Sequence, residues 1–199
     1  MSTYQQMYFE KRAQILIKNL KSRNFDACYC RDAEEARQAA LAMIPECASV
    51  GWGGAASAQQ IGLLDAVQAG NYKALGRDDS VRPDVFIAGA NAISMDGQMV
   101  NIDGRSNRVS AILYGPKTVI IIAGMNKVVD TLEDAMRRAK TVAAPINEQR
   151  FMGNTPCAAT GVCADCKSPD CICCNTVITR FSRDKDRIRF ILVGEELGF

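Results

Sequence analysis

From the N-terminus to residue 144, stretches of helical period alternate with apolar runs of strand length, and this alternation constrains the fold more than any other feature. Ala13, Leu16, Ile17 and Leu20 follow the i, i+3, i+4, i+7 spacing of one apolar helix face. "FDACYC" then predicts a strand. Asp32 is placed to cap the helix "AEEARQAALAMI", which stops at Pro45. "CASVGW" predicts a strand entering a glycine turn. Ser57 and Gln60 have capping-box spacing, so a helix is expected from Ser57 to Gly70. A short strand over 72–75 and a charged loop ending at Pro83 lead to "DVFIAGANAI", read as one buried strand. "QMVNI" is extended, "GRSNRVSAILY" helical, and "KTVIIIAG" the central strand. "DTLEDAMRRAKTVA" is an amphipathic helix capped by Asp130 or Thr131, and Pro145 opens another short one.

That order predicts an α/β fold: a mainly parallel sheet with helices on both faces. Beyond it, "TVITRF" and "RIRFILVGEELGF" flank the charged turn "SRDKD" and predict a C-terminal β-hairpin over residues 175–199. No linker or internal repeat interrupts the chain, so residues 1–199 are expected to form one domain.

A formal charge of +2, with 48% hydrophobic and 23% charged residues, argues against a disordered chain and against a nucleic-acid partner. The N-terminal stretch lacks the apolar core of a signal peptide, and "VIIIAGM" is too short to span a bilayer. A cytoplasmic protein with no membrane partner is expected.

Ligands of parallel sheets bind where loops leave the carboxyl ends of the strands. Three such loops carry candidate ligand residues. In "VGWGGAAS", Gly51, Gly53, Gly54 and Ser57 join a strand to a helix start; a tight turn explains the glycines as well as a ligand does. "GANAISMDGQMVNIDGRSNRV" gathers Asn91, Asp96, Asn101, Asp103, Gly104, Asn107 and Arg108 beside buried strands. The two Asp-Gly pairs suit turns, whereas Asn101, Asn107 and Arg108 need another partner. In "AGMNKVV", Asn126 and Lys127 follow the central strand, where the lysine either meets an anion or lies in solvent.

The chain has no histidine, which excludes a Ser–His–Asp triad and any imidazole-held metal. Nine cysteines are present, six of them between Cys157 and Cys174. In a reducing compartment clustered thiols point to an all-thiolate metal site or to thiol redox chemistry; free thiols in a loop are the plainer reading. Cys28, Cys30 and Cys47 read as small core residues. Alternating charges in Arg180–Arg189 read as a solvated turn.

The stretches "VGWGG", "IGLLDA", "GANAISMDGQMVNIDGRSNRV", "GPKTVIIIAGMNKVV", "VAAPIN", "TPCAATGVCADCKSPDCIC" and "ILVGEELGF" resemble the lactate-utilisation (LUD) domain family over almost the whole chain. The resemblance implies a three-layer fold of the superfamily of ribose-phosphate isomerase, glucosamine-phosphate deaminase and CoA-transferases. It also implies that Cys157, Cys163, Cys166 and Cys173, spaced C-x5-C-x2-C-x6-C, are the metal ligands, with Cys171 and Cys174 additional. Soft thiolates suit an iron–sulfur cluster or zinc, and the spacing does not separate the two. Cys163 and Cys166 as a reversible redox pair is the other chemistry open to them.

The Asn91–Arg108 stretch is also similar in layout to methylthioribose-phosphate-type isomerases. There Asn91 stands in place of an acid, and an amide cannot shuttle a proton. Two functions follow as expectations. One is an accessory role in oxidising lactate or a related hydroxy acid, with a redox partner subunit. The other is a stand-alone enzyme or sensor for a small anionic metabolite, phosphorylated or CoA-type. A metal-stabilised interaction module ranks behind both. No side chain is singled out as catalytic, and self-association of the chain stays open.

Overall fold

The computed structural model describes residues 2–76 and 82–199. Most of the charged loop expected before Pro83 therefore lies outside the described residues. Helix α1 (Thr3–Ser22) leads to β1 (Asp26–Cys30), α2 (Ala33–Ala42) and β2 (Ser49–Trp52). Two short helices, α3 (Ala56–Gln60) and α4 (Leu63–Ala69), precede β3 (Lys73–Gly76) and β4 (Val85–Gly89). Next come β5 (Ala92–Ser94), β6 (Met99–Asp103), α5 (Asn107–Leu113) and β7 (Thr118–Gly124). A turn at Met125–Lys127 leads to β8 (Val128–Val129) and α6 (Leu132–Arg138). A π-helical turn at Ala139–Ala143 joins α6 to α7 (Ala144–Glu148). The chain ends with α8 (Pro156–Thr160), β9 (Asn175–Thr179) and β10 (Ile188–Val193).

The main sheet has six strands in the order β1-β10-β7-β4-β2-β3, all paired in parallel. β7 lies near its centre because "VIIIAG" is β-branched and apolar on both faces, and six of its seven residues are buried. On one face, Ala36 and Ala40 of α2, Ala58 of α3 and Leu63, Leu64 and Val67 of α4 pack against Ile87, Ile120 and Ile191. On the other, Phe9, Ala13, Leu16 and Leu20 of α1 and Ile112 of α5 meet Phe86, Val119, Ile121 and Phe190. Phe25 and Phe190 stack edge to face, 5.3 Å apart. The expected face of α1 is thus the buried one, with Ile17 half-buried beside it. Asp32 and Thr131 cap α2 and α6 as expected, each accepting a backbone N–H of its first turn.

Three expectations change. The two C-terminal strands are present but form no hairpin. β9 pairs antiparallel with β6, in a second sheet of order β8-β5-β6-β9, while β10 inserts in parallel between β1 and β7. The reason is in the residues. Ile188–Val193 is apolar on nearly every position and suits a strand covered on both faces. Asn175–Thr179 is mostly exposed and suits an edge. Second, "DVFIAGANAI" is two strands: β4 ends at Gly89, and β5 belongs to the second sheet. Third, Ser57 does not cap its helix. α3 starts after Ala55 without a side-chain cap, and Gly62, at φ +71°, breaks the expected long helix into α3 and α4. No described helix is long and apolar enough to cross a membrane.

Candidate functional site

β2, β4 and β7 lie side by side, so the loops after them meet at one end of the sheet. Lys127 closes the turn that follows β7. It is buried, only 4% exposed, and its Nζ donates to Ser57 Oγ at 3.0 Å. Ser57 is buried as well. Of the two readings of Lys127, the one in solvent is thereby set aside.

Two arginines complete a cationic cluster. Arg108, in the first turn of α5, donates to the Ile102 carbonyl at 2.6 Å and to Asn91 Oδ1 at 3.2 Å. Asp103 Oδ2 stands 3.5 Å from its Nε. Arg138, at the end of α6, donates to the main-chain oxygens of Asn91 at 2.5 Å, Asn126 at 3.1 Å and Phe199 at 3.3 Å. Asn91 is therefore held at its side chain by one arginine and at its backbone by the other. Burial first, then the charges of Arg138 and Arg108, push the Lys127 ammonium down to about 7 from its ordinary value of 10.5. Burial also lowers both arginines, which stay charged.

Among Gly51, Gly53 and Gly54, it is Gly53 that serves this packing. A Cβ at Gly53 would stand 2.9 Å from Arg108 Cγ, so the turn after β2 must be bare for α5 to approach. A Cβ at Gly51 would press on Pro83 at 3.0 Å, which makes that glycine a strand-packing residue. Gly54 faces open space. Asn126 Oδ1 accepts the N–H of Leu197 at 3.1 Å, and Gln60 Oε1 accepts that of Gly198 at 2.6 Å. These bonds draw the C-terminal segment over the lysine, leaving a Cβ at Gly198 only 2.9 Å from Lys127 Nζ.

Asp103 holds the start of α5 by accepting the N–H groups of Ser106 and Val109 at 3.0 and 3.3 Å. Asn107 is the first residue of that helix. Asn101 is buried on β6 with neither side-chain polar atom hydrogen-bonded, and strand alternation puts it on the same face as Asp103. Asp96 stands apart. Its carboxylate pairs with Arg23 at 2.8 Å and accepts from Gln98 and Ser94. Arg138 and the C-terminal segment escaped the sequence reading. Arg138 carries no local signal, being one more charge on the polar face of an amphipathic helix. It also lines an open pocket of about 420 Å³ with Tyr8, Arg12, Val129 and Thr141.

The cysteine segment lies elsewhere. Cys157, Cys163, Cys166, Cys171 and Cys173 line one pocket of about 140 Å³ with Glu148 and Thr155. All nine cysteines are free thiols. Burial, then the neighbouring Cys171, Cys163 and Cys157, pushes the Cys173 thiol up to about 12. Glu148 is fully buried. Its Oε1 accepts from Thr155 Oγ1 at 3.0 Å, and its Oε2 has no hydrogen-bond partner. The donor set suits a thiophilic metal, yet among the described residues no three His, Cys, Asp or Glu side chains converge on one ion position. Gly104 ties the two regions together: a Cβ there would stand 3.3 Å from Ile172 Cα.

The fold has relatives among known proteins. A crystal structure of a DUF162 family protein from Deinococcus radiodurans superposes with a TM-score of 0.56 at 12% identity, covering 93% of this chain and 98% of that one. Lesser likenesses are to a D-ribose-5-phosphate isomerase in complex with phospho-erythronic acid (TM-score 0.38, 19% identity, 60% of this chain and 65% of that one) and to ribose 5-phosphate isomerase A from Methanocaldococcus jannaschii (0.36, 13%, 61% and 66%). No curated protein matches the chain. The sequence model of the LUD domain matches residues 13–193. The chain belongs to the LUD domain family, whose domain is associated with lactate utilisation.

Proposed function

We propose that the chain binds a small anionic metabolite, a hydroxy-acid carboxylate or a phosphorylated compound, at the carboxyl ends of β2, β4 and β7. The observation that carries this reading is the imbalance of charge. Lys127 is buried, Arg108 and Arg138 are half-buried beside it, and Asp103 is the one side-chain carboxylate bonded to any of them among the described residues. Buried like charges repel unless a counter-charge joins them. The unpartnered amide of Asn101 adds hydrogen-bonding capacity on the same strand as Asp103. The family's association with lactate use favours the carboxylate. A cytoplasmic setting suits nine free thiols.

Thermal melts with L-lactate, pyruvate and inorganic phosphate test the reading. An anion present at a hundredfold its Kd adds about 2.7 kcal/mol. For a chain of this size that corresponds to roughly 5–10 °C in Tm. Arg138→Ala is expected to abolish the shift. No shift with any of the three anions would sink the proposal.

A second reading is favoured by the five thiols around one pocket. In it the chain is an accessory to oxidation of lactate or a related hydroxy acid. Cys157, Cys163, Cys166 and Cys173 hold an iron–sulfur cluster or zinc, and a partner subunit exchanges electrons with the cluster. Metal and acid-labile sulfide analysis of protein purified without oxygen decides it. Iron with sulfide supports the cluster, zinc without sulfide supports a structural clasp, and neither removes the reading.

A further inference from the structure

We propose that Ser57 and Lys127 form a nucleophile–base pair that accepts acyl groups from small anionic esters or thioesters; this rests on the anion-binding reading above. The two groups come from distant parts of the chain, α3 and the turn after β7, and meet at 3.0 Å. Ser57 is 1% exposed and Lys127 4%. Neither has a structural duty that explains it. Ser57 caps no helix, and no carboxylate bonds to Lys127 among the described residues. A lysine buried for stability is ordinarily paired with an acid. Here the charged groups facing it are Arg108 from α5, with Asp103 of β6 behind, and Arg138 from α6. α3 contributes a hydroxyl, and the C-terminal segment contributes Gly198, which has no side chain. Such surroundings disfavour the ammonium and leave an amine free to accept a proton, the requirement for activating a serine when no histidine exists.

The step balances within the site. Ser57 Oγ attacks the acyl carbon and passes its proton to Lys127 Nζ. The bond to the alkoxide or thiolate leaving group breaks, and that group takes the proton from Lys127. Water, deprotonated by Lys127, then attacks the acyl carbon; the bond to Ser57 Oγ breaks, Lys127 returns the proton to that oxygen, and the acid is released. Arg108 and Arg138 hold the anionic end of the acyl group. Substrate takes the place of Gly198, where a Cβ would stand 2.8 Å from Ser57 Oγ. Lifting the segment breaks no sheet ladder; it releases the Leu197 and Gly198 N–H groups from Asn126 and Gln60 and the Phe199 main-chain oxygen from Arg138, and it withdraws Leu197 from the core.

The test is covalent labelling of the full chain with phenylmethylsulfonyl fluoride, mapped by peptide mass spectrometry. The expected result is an adduct on Ser57 whose rate of formation rises as pH passes through about 7. Lys127→Met should slow it by about 100-fold or more, as loss of a general base does, while circular dichroism stays unchanged. Labelling at an unchanged rate in Lys127→Met overturns the pair. So does the absence of a Ser57 adduct in both the wild type and Leu197→Ser, where the covering segment is loosened. The two readings fail separately. Anion-dependent stabilisation without Ser57 labelling keeps the binding site and removes the pair. Lysine-dependent labelling without any anion effect keeps the pair and overturns the anionic substrate class.

Discussion

Gly53 and Arg108 touch so closely that a Cβ on the glycine would stand 2.9 Å from the arginine's Cγ and 3.0 Å from its Cβ. The adjacent Gly54 has nothing within 4 Å of the same position. The pair separates packing from turn propensity. Gly53→Ala forces Arg108 and α5 outward and is expected to cost about 1–3 kcal/mol, as overpacking does. Gly54→Ala is expected to be close to neutral. Urea unfolding of the two variants checks both values.

Lys127 gives stability a pH dependence of known sign. Its folded value of about 7 lies below its ordinary 10.5. Between those values the unfolded chain carries a proton that the folded chain lacks, so this residue makes stability rise with pH. Below about 7 the full cost of the buried ammonium is present. Lys127→Met removes that cost. The variant is expected to melt above wild type at neutral pH and lower. The gap should close on the order of 1.4 kcal/mol per pH unit toward pH 10. A constant gap across the range would show that the lysine is not buried as described.

Thr155 joins two jobs. Its Oγ1 accepts the Ala158 N–H at 3.2 Å, capping α8, and it donates to buried Glu148 at 3.0 Å. Thr155→Val keeps the shape and loses both bonds, leaving the Glu148 carboxyl group with neither oxygen partnered. A loss of roughly 2–4 kcal/mol is expected from the cap and the bond to a buried polar group together. Thr155→Ser should retain most of the stability. Thermal denaturation of the two variants distinguishes this from simple cavity formation.

The cysteines should differ in reactivity. In metal-free protein at mildly alkaline pH, Cys173, pushed up to about 12 by burial and neighbouring thiols, is expected to alkylate more slowly than exposed Cys174 next to it. Timed iodoacetamide labelling with peptide mapping measures this directly. Equal protection of Cys157, Cys163, Cys166 and Cys173, relieved together by a chelator, would instead indicate a bound metal.

Much of the fold was set by residues a few positions apart. The i, i+3, i+4 face of α1, the Asp32 and Thr131 caps and the β-branched run of β7 all express local preferences, and the structure keeps them. The loops after β2 and β7 were legible as loops too, because glycine and asparagine favour turns at strand ends. What the tertiary structure decided was pairing across the chain. Ser57 looks like a helix cap locally, and only the lysine seventy residues later draws it inward. Arg138 is an ordinary surface charge until α6 packs against the second sheet and aims it at Asn91. β9 and β10 are neighbours with a turn between them. Apolar β10 nevertheless finds burial inside the main sheet while the mostly exposed β9 takes an edge of the second, since backbone hydrogen bonds are satisfied equally by either partner and the apolar surface decides.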